Sequence, residues 1–214
     1  MKVLWIVNLI PSNLATALGS EKTVLGGWVE SMAGRLCGRN ELELAIACKN
    51  EGTEQFYHEL DGIKYYSVSY NSKTTLEQIK ERCKQIIESF EPDLIQIEGT
   101  EFLHALAMLT AGKEKGIKTV VSLQGILNGQ YNYQCGQLAI EDMMFSRSLT
   151  NIYAAWIMFL RKRVWYKGRM KSERQILEQA ENFMGRTTWD RAHAYKINPK
   201  AGYYSCNSQR IRRW

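Results

Sequence analysis

Short unbroken apolar runs alternate along this chain with stretches whose apolar positions return every third or fourth residue. Val3–Val7 is such a run, the kind buried on both faces of a parallel sheet. Behind it, Trp28, Val29, Met32 and Leu36 share one stripe of a helix predicted over Gly26–Arg39, with Gly38 or Asn40 as its end. Leu42–Ala47 and Lys64–Tyr70 read as the second and third strands. Leu76–Phe90 reads as a helix carrying Leu76, Ile79, Cys83, Ile86, Ile87 and Phe90 and stopped by Pro92. A short strand at Leu94–Ile97, a helix at Phe102–Lys115 and a strand at Lys118–Leu123 follow. Gly125–Gly136 lacks periodicity and reads as a loop, and Leu138–Ala180 favours two helices with a break at Gly168. Strands return at Asn182–Gly185 and around Tyr203–Ser205. Repeated β-α-β of this kind predicts an α/β fold, a parallel sheet with helices on both faces.

Composition narrows this further. The chain has 214 residues, 45% hydrophobic and 23% charged, without a linker, low-complexity tract or internal repeat, so one domain over 1–214 with a sizeable core is expected. Its five cysteines, Cys37, Cys48, Cys83, Cys135 and Cys206, form no Cys-x-x-Cys pair. That argues against a disulfide framework or a zinc site and for a reducing, cytoplasmic setting. The amino-terminal apolar run is short for a signal peptide.

The net charge of +6 is concentrated in Arg161–Arg174, which holds seven basic residues and one acid. Just before it, Leu149–Leu160 is mostly apolar but far shorter than the roughly 20 residues a bilayer span needs. With Trp156, Arg161, Lys162, Arg163 and Trp165 as contacts, this stretch can lie on an anionic membrane surface; or its aromatics pack on the core and its basic face is simply solvated. No nucleic-acid motif accompanies the basic run.

Ligands of open α/β sheets bind at the carboxyl ends of the strands, and the polar clusters sit there. Gly26-Gly27 follows the first strand: it either lets backbone N–H groups approach a phosphate at a helix amino-terminus or permits a tight turn with close helix packing. Glu98-Gly99-Thr100-Glu101 follows the strand at Leu94. Here Thr100 is expected to cap the next helix, Glu101 to sit in its first turn, and Glu98 or Glu101 to serve either a site or merely that cap. His104 reads as a helix-face residue. Ser122-Leu123-Gln124-Gly125 follows the next strand, and Gln124 can bond a hydroxyl but cannot exchange a proton near neutral pH. Asn128, Gln130, Tyr131, Asn132 and Tyr133 suit sugar hydroxyls and ring faces, or an ordinary surface loop. In Gly185-Arg186-Thr187-Thr188-Trp189-Asp190, Arg186 offers a fork of donors to phosphate or carboxylate, Thr187 or Thr188 can cap a helix, Trp189 is expected to bury against the sheet, and Asp190 faces the cleft.

The Gly-Arg-Thr-x-Trp-Asp segment, followed by Asn198-Pro199 and the paired Tyr203-Tyr204, resembles the close of the first domain in bacterial family-4 glycosyltransferases of the GT-B type. The amino-terminal strand, Gly26-Gly27, Glu98-Gly99-Thr100-Glu101-Phe102 and Ser122-Leu123-Gln124-Gly125 fall in that family's order, so the resemblance covers most of the chain. It implies a Rossmann-like half of a GT-B enzyme, the acceptor-binding domain, whose nucleotide-sugar-binding carboxyl-terminal domain is absent from residues 1–214. It implies transfer of a sugar from a nucleotide-sugar to a glycan or lipid-linked acceptor, as in cell-surface polysaccharide synthesis, with no metal and no other cofactor. Substrate contacts are implied at Gly26, Gly27, Glu98, Glu101, Gln124, Gly125, Arg186, Thr187 and Asp190. Relatives commonly place His near Gln124 and often His or a similar polar residue at the position of Glu98, lining the acceptor pocket; the departure to Gln at 124 argues against an acid–base role there. The opposing reading is a non-catalytic membrane- or partner-binding subunit of a split transferase, cytoplasmic and peripheral at the inner membrane face.

Overall fold

The computed structural model describes residues 1–19, 27–37, 41–50, 55–130, 144–145, 148–160, 164 and 166–206. Eight strands form one sheet: β1 (Lys2–Val7), β2 (Glu43–Asn50), β3 (Tyr57–Leu60), β4 (Ile63–Ser69), β5 (Leu94–Glu98), β6 (Lys118–Ser122), β7 (Asn182–Gly185) and β8 (Gly202–Ser205). Their order is β3-β4-β2-β1-β5-β6-β7-β8, and every neighbouring pair is parallel except β3 with β4. From β1 the chain steps outward to β2 on one side and later to β5 on the other. The crevice where loops diverge therefore opens above the carboxyl ends of β1 and β5.

The helices are α1 (Ser12–Ala17), α2 (Gly27–Cys37), α3 (Leu76–Phe90), α4 (Leu103–Glu114), α5 (Leu127–Gln130), α6 (Leu149–Leu160), α7 (Lys167–Gln179) and α8 (Thr188–Ile197). The larger core lies between one sheet face and α3, α4, α7 and α8. The smaller gathers Trp5, Ile46 and Tyr65 with Leu14 of α1 and Val29 and Ala33 of α2. In α3 the predicted stripe is realised: Ile79, Cys83, Ile86, Ile87 and Phe90 are buried, while Leu76 is left exposed. Burying each large apolar side chain contributes about 1.5–3 kcal/mol. A Thr75–Gln78 capping box starts this helix, and Glu91, at φ 52°, ends it just before Pro92.

Several elements differ from the sequence reading. β3 and α1 were not expected. β3 is a half-exposed edge strand, hairpinned to β4 through Asp61 (φ 53°) and Gly62 (φ 75°). Gly168, expected to break two helices, is instead the second residue of α7. Trp28 is 39% exposed rather than on the buried stripe, and the residues expected to end α2, Gly38 and Asn40, lie outside the described residues. α5 gives helical form to part of the predicted loop, whose Tyr131, Asn132 and Tyr133 are likewise outside them.

Candidate functional site at the carboxyl ends of the strands

The loops leaving β5, β6 and β7 converge. Glu98, the last residue of β5, is buried, and its carboxylate accepts from the Gln96 amide on one oxygen and from Gln124 Nε2 on the other, at 2.9 Å. The Gln124 backbone carbonyl in turn accepts from Arg186 Nη2 at 2.9 Å, tying the loop after β7 to the loop after β6. Three residues named from sequence, Glu98, Gln124 and Arg186, thus form one chain of contacts. Arg186 and Gln124 are exposed, so the guanidinium's remaining donors and the mouth of the crevice are open to solvent.

Gly99, at φ +91°, adopts a conformation that L side chains avoid. A Cβ there would also stand 2.6 Å from Asn8 Nδ2, so glycine lets the end of β5 meet the residue that follows β1. Asn8 belongs to a second network. Its Oδ1 accepts from His104 Nε2 at 3.1 Å, and His104 Nδ1 lies 2.8 Å from the Tyr70 hydroxyl. With Asn8 Oδ1 able only to accept, Nε2 carries the ring proton and Nδ1 accepts from Tyr70. Burial, with a smaller contribution from the Lys49 charge, pushes the His104 pKa down to about 3, so the ring is neutral. The fully buried His104 therefore orients the Asn8 amide rather than exchanging protons. It faces inward from a helix buried nearly all round, not outward from a solvated face.

Thr100 does not cap α4: Phe102 stands at that N-cap without a side-chain bond, and Glu101 precedes the helix rather than sitting in its first turn. Thr100 Oγ1 instead donates to Glu173 Oε2 at 2.9 Å, and Glu101 Oε2 accepts from Thr100 N at 3.3 Å. Glu173, fully buried on α7, was not anticipated. Its only sequence sign is being the single acid of the basic run Arg161–Arg174.

The Gly185–Asp190 motif is explained residue by residue. A Cβ on Gly185 would collide with the Tyr203 hydroxyl, which donates to Thr187 O at 3.1 Å. Thr187 caps α8 by accepting from Asp190 N, and the buried Asp190 carboxylate accepts from Arg186 N and Thr187 N at 3.2 and 3.1 Å. That box holds Arg186 at the mouth, while Asp190's carboxylate turns to the backbone rather than to solvent. Trp189 does not bury against the sheet; it is 38% exposed, with its ring beside His193 and its Cζ2 2.6 Å from where a Gly129 Cβ would be. Asn198 Nδ2 donates to the carbonyls of Ala180 and Leu177 at the end of α7, which accounts for the Asn of Asn198-Pro199.

Other expectations stand apart from this cluster. Gly27 opens α2 but is exposed, with nothing within 4 Å of where a Cβ would be, so no close packing there requires glycine; Gly26 lies outside the described residues. Gly125 adjoins Gln130, whose Nε2 would meet its Cβ at 2.9 Å. In α6, Trp156 is 51% exposed and only Ala155 is buried, so the aromatics do not pack into the core; Arg161, Lys162, Arg163 and Trp165 lie outside the described residues. Among the described residues, no helix is long and apolar enough to cross a membrane, and no group of three or more His, Cys, Asp or Glu could hold a metal ion.

No protein-family model matches the chain, and no curated protein matches it by sequence. Solved structures do share its fold. The UDP-GlcNAc 2-epimerase of Methanocaldococcus jannaschii matches with a TM-score of 0.55 at 8% identity, covering 96% of this chain and 45% of that one. Sucrose-phosphate synthase of Thermosynechococcus elongatus matches at 0.54 and 10% identity, covering 96% and 47%. The UDP-GlcNAc 2-epimerase of Neisseria meningitidis, bound to UDP-GlcNAc, matches at 0.52 and 13%, covering 95% and 45%. The chain spans a little under half the length of these structures, and the likeness is one of fold: a Rossmann-like α/β half of the GT-B architecture.

Proposed function

We propose that this chain is the amino-terminal, acceptor-binding half of a GT-B glycosyltransferase, similar to the family-4 enzymes, that moves a sugar from a nucleotide-sugar to a glycan or lipid-linked acceptor. The observation that carries the reading is the convergence of Glu98, Gln124 and Arg186 at the carboxyl ends of β5, β6 and β7, on one side of the crevice, in a sheet whose fold is shared with the nucleotide-sugar enzymes above. Glu98 offers lone pairs to a sugar hydroxyl, and Gln124 an amide beside it. Arg186, anchored through one nitrogen, has donors left for a phosphate or carboxylate. The nucleotide-sugar as donor class is supported by the fold shared with a UDP-GlcNAc-bound structure. On this reading the donor is held mainly by a second domain, and the 1–214 region does not turn over alone.

The test is a transfer assay with the full-length parent protein, a panel of labelled nucleotide-sugars and an envelope lipid and glycan extract. Label moving to the extract is the expected result. Interconversion of the donor sugar without transfer would replace the transferase reading with an epimerase, and no turnover of any donor would leave a non-catalytic subunit.

A second reading, membrane attachment, is favoured by α6. Leu149, Tyr153, Trp156, Phe159 and Leu160 are all exposed on a helix with no charged residue, and the basic run follows directly in sequence. Sedimentation with anionic vesicles should show salt-sensitive binding that is lost when Arg161, Lys162 and Arg163 are replaced by Ser; unchanged binding in the triple variant would remove this reading.

A further inference from the structure

We propose that Glu173 is the positioning residue of this site, a buried anion on α7 that fixes α5 and, through it, the mouth of the acceptor crevice; the proposal rests on the acceptor-site reading above. Glu173 is fully buried, and its two oxygens take four hydrogen bonds. Oε2 accepts from Thr100 Oγ1 at 2.9 Å and Leu127 N at 2.8 Å; Oε1 accepts from Asn128 N at 2.7 Å and Asn128 Nδ2 at 2.8 Å. No salt bridge to it exists among the described residues. Burying a carboxylate costs its hydration, and an apolar side chain would fill this helix position without that cost. What the carboxylate adds is geometry, because its donors come from two different loops.

Leu127 N and Asn128 N belong to the first two residues of α5, a helix of four residues that cannot sustain itself. The carboxylate satisfies these orphan donors and complements the helix dipole. Asn128 Nδ2 also donates to Met170 O on α7 at 3.1 Å, so α5 is fastened to α7 twice. On the other side, Thr100 belongs to the loop after β5. That loop meets α7 a second time, where the Arg169 guanidinium lies 4.3 Å from the Phe102 ring centroid. From α5 the constraint passes outward: Gly129 is the surface on which Trp189 and His193 rest, and Gln130 abuts Gly125, next to Gln124. Releasing Glu173 therefore frees the loop that carries Gln124 without touching the sheet.

Amide hydrogen exchange in the full-length protein, wild type against Glu173→Gln, tests this directly. Gln keeps the shape but turns an NH2 toward donors, so amides of residues 124–130 should exchange at least about tenfold faster while those of β1 and β5 stay unchanged. In the transfer assay the same variant should raise the acceptor KM severalfold and leave the donor KM unaltered. Unchanged exchange at 124–130 overturns the proposal, and so does acceleration spread evenly over the sheet, which would mark Glu173 as a core residue only. If Glu173→Gln does not fold, Asn128→Ala, which removes the Nδ2 bonds to Glu173 and Met170 but keeps both backbone donors, should give the same localised signature at smaller amplitude. The exchange readout needs no substrate, so a failed transferase assay and a failed positioning role are told apart.

Discussion

Two groups of charged and polar side chains in this protein behave in opposite ways. On the outer surface of α3 and α4, Lys80 and Lys84 both reach Glu114, at 2.8 and 2.9 Å, and each also pairs with an acid one turn back, Glu77 and Glu81. At the crevice, Glu173 and His104 are fully buried, and neutral donors and acceptors hold them in place of salt bridges. The surface group has more ion pairs, but water screens them and long side chains lose entropy in forming them. The crevice group has none among the described residues, but each hydrogen bond there replaces water that cannot return. Burial, not the count of ion pairs, decides which group the structure depends on.

The largest expected break in this contrast is Glu173→Ala. It removes the shared acceptor of Thr100 Oγ1, Leu127 N, Asn128 N and Asn128 Nδ2, the first of these fully buried and the others partly so, and should lower unfolding free energy by about 3 kcal/mol or more in denaturant titration; a loss no greater than that of a surface variant would undo the comparison. Next is acidification. Folded His104 titrates near pH 3 and unfolded histidine near 6.5, so the unfolded chain takes up a proton that the fold refuses between those values. Stability should fall as pH drops, by up to about 1.4 kcal/mol per unit, from pH 6.5 to 4.5. The depressed carboxylates Glu43, Glu88 and Glu114 add their own loss only at lower pH, as they protonate. His104→Gln should flatten the upper window in pH-dependent melts; a slope that survives the substitution would place its cause elsewhere.

A smaller effect is expected from Thr187→Ala, about 1 kcal/mol for loss of the α8 cap. Thr75→Ala on α3 should cost a similar amount, but only Thr187→Ala should also slow transfer, because that cap holds Arg186. The smallest effect is Lys84→Met, for which the melting temperature should not move measurably at moderate salt.

The sheet was legible because buried parallel strands are short, mostly apolar runs; β1 and β2 carry this signal most plainly, while β5 and β6 keep it around Gln96 and Thr119. β3 was not, since Tyr57-His58-Glu59-Leu60 alternates at an exposed edge, although Asp61-Gly62 beside it is a hairpin signal. Within the site, Glu98, Gln124 and Arg186 could be found because each lies at, or within two residues of, the carboxyl end of a strand. Glu173 and His104 could not, because their partners lie 73 and 96 residues away in sequence, and no local pattern carries such a pairing. Trp189 misled because a large aromatic is usually buried; here the close approach of Gly129 props it at the surface.

The most direct measurement of the central claim is the steady-state transfer kinetics of Arg186→Ala in the full-length protein. The acceptor-site account predicts a fall in kcat/KM of about tenfold or more with the fold intact. Kinetics indistinguishable from wild type would contradict it.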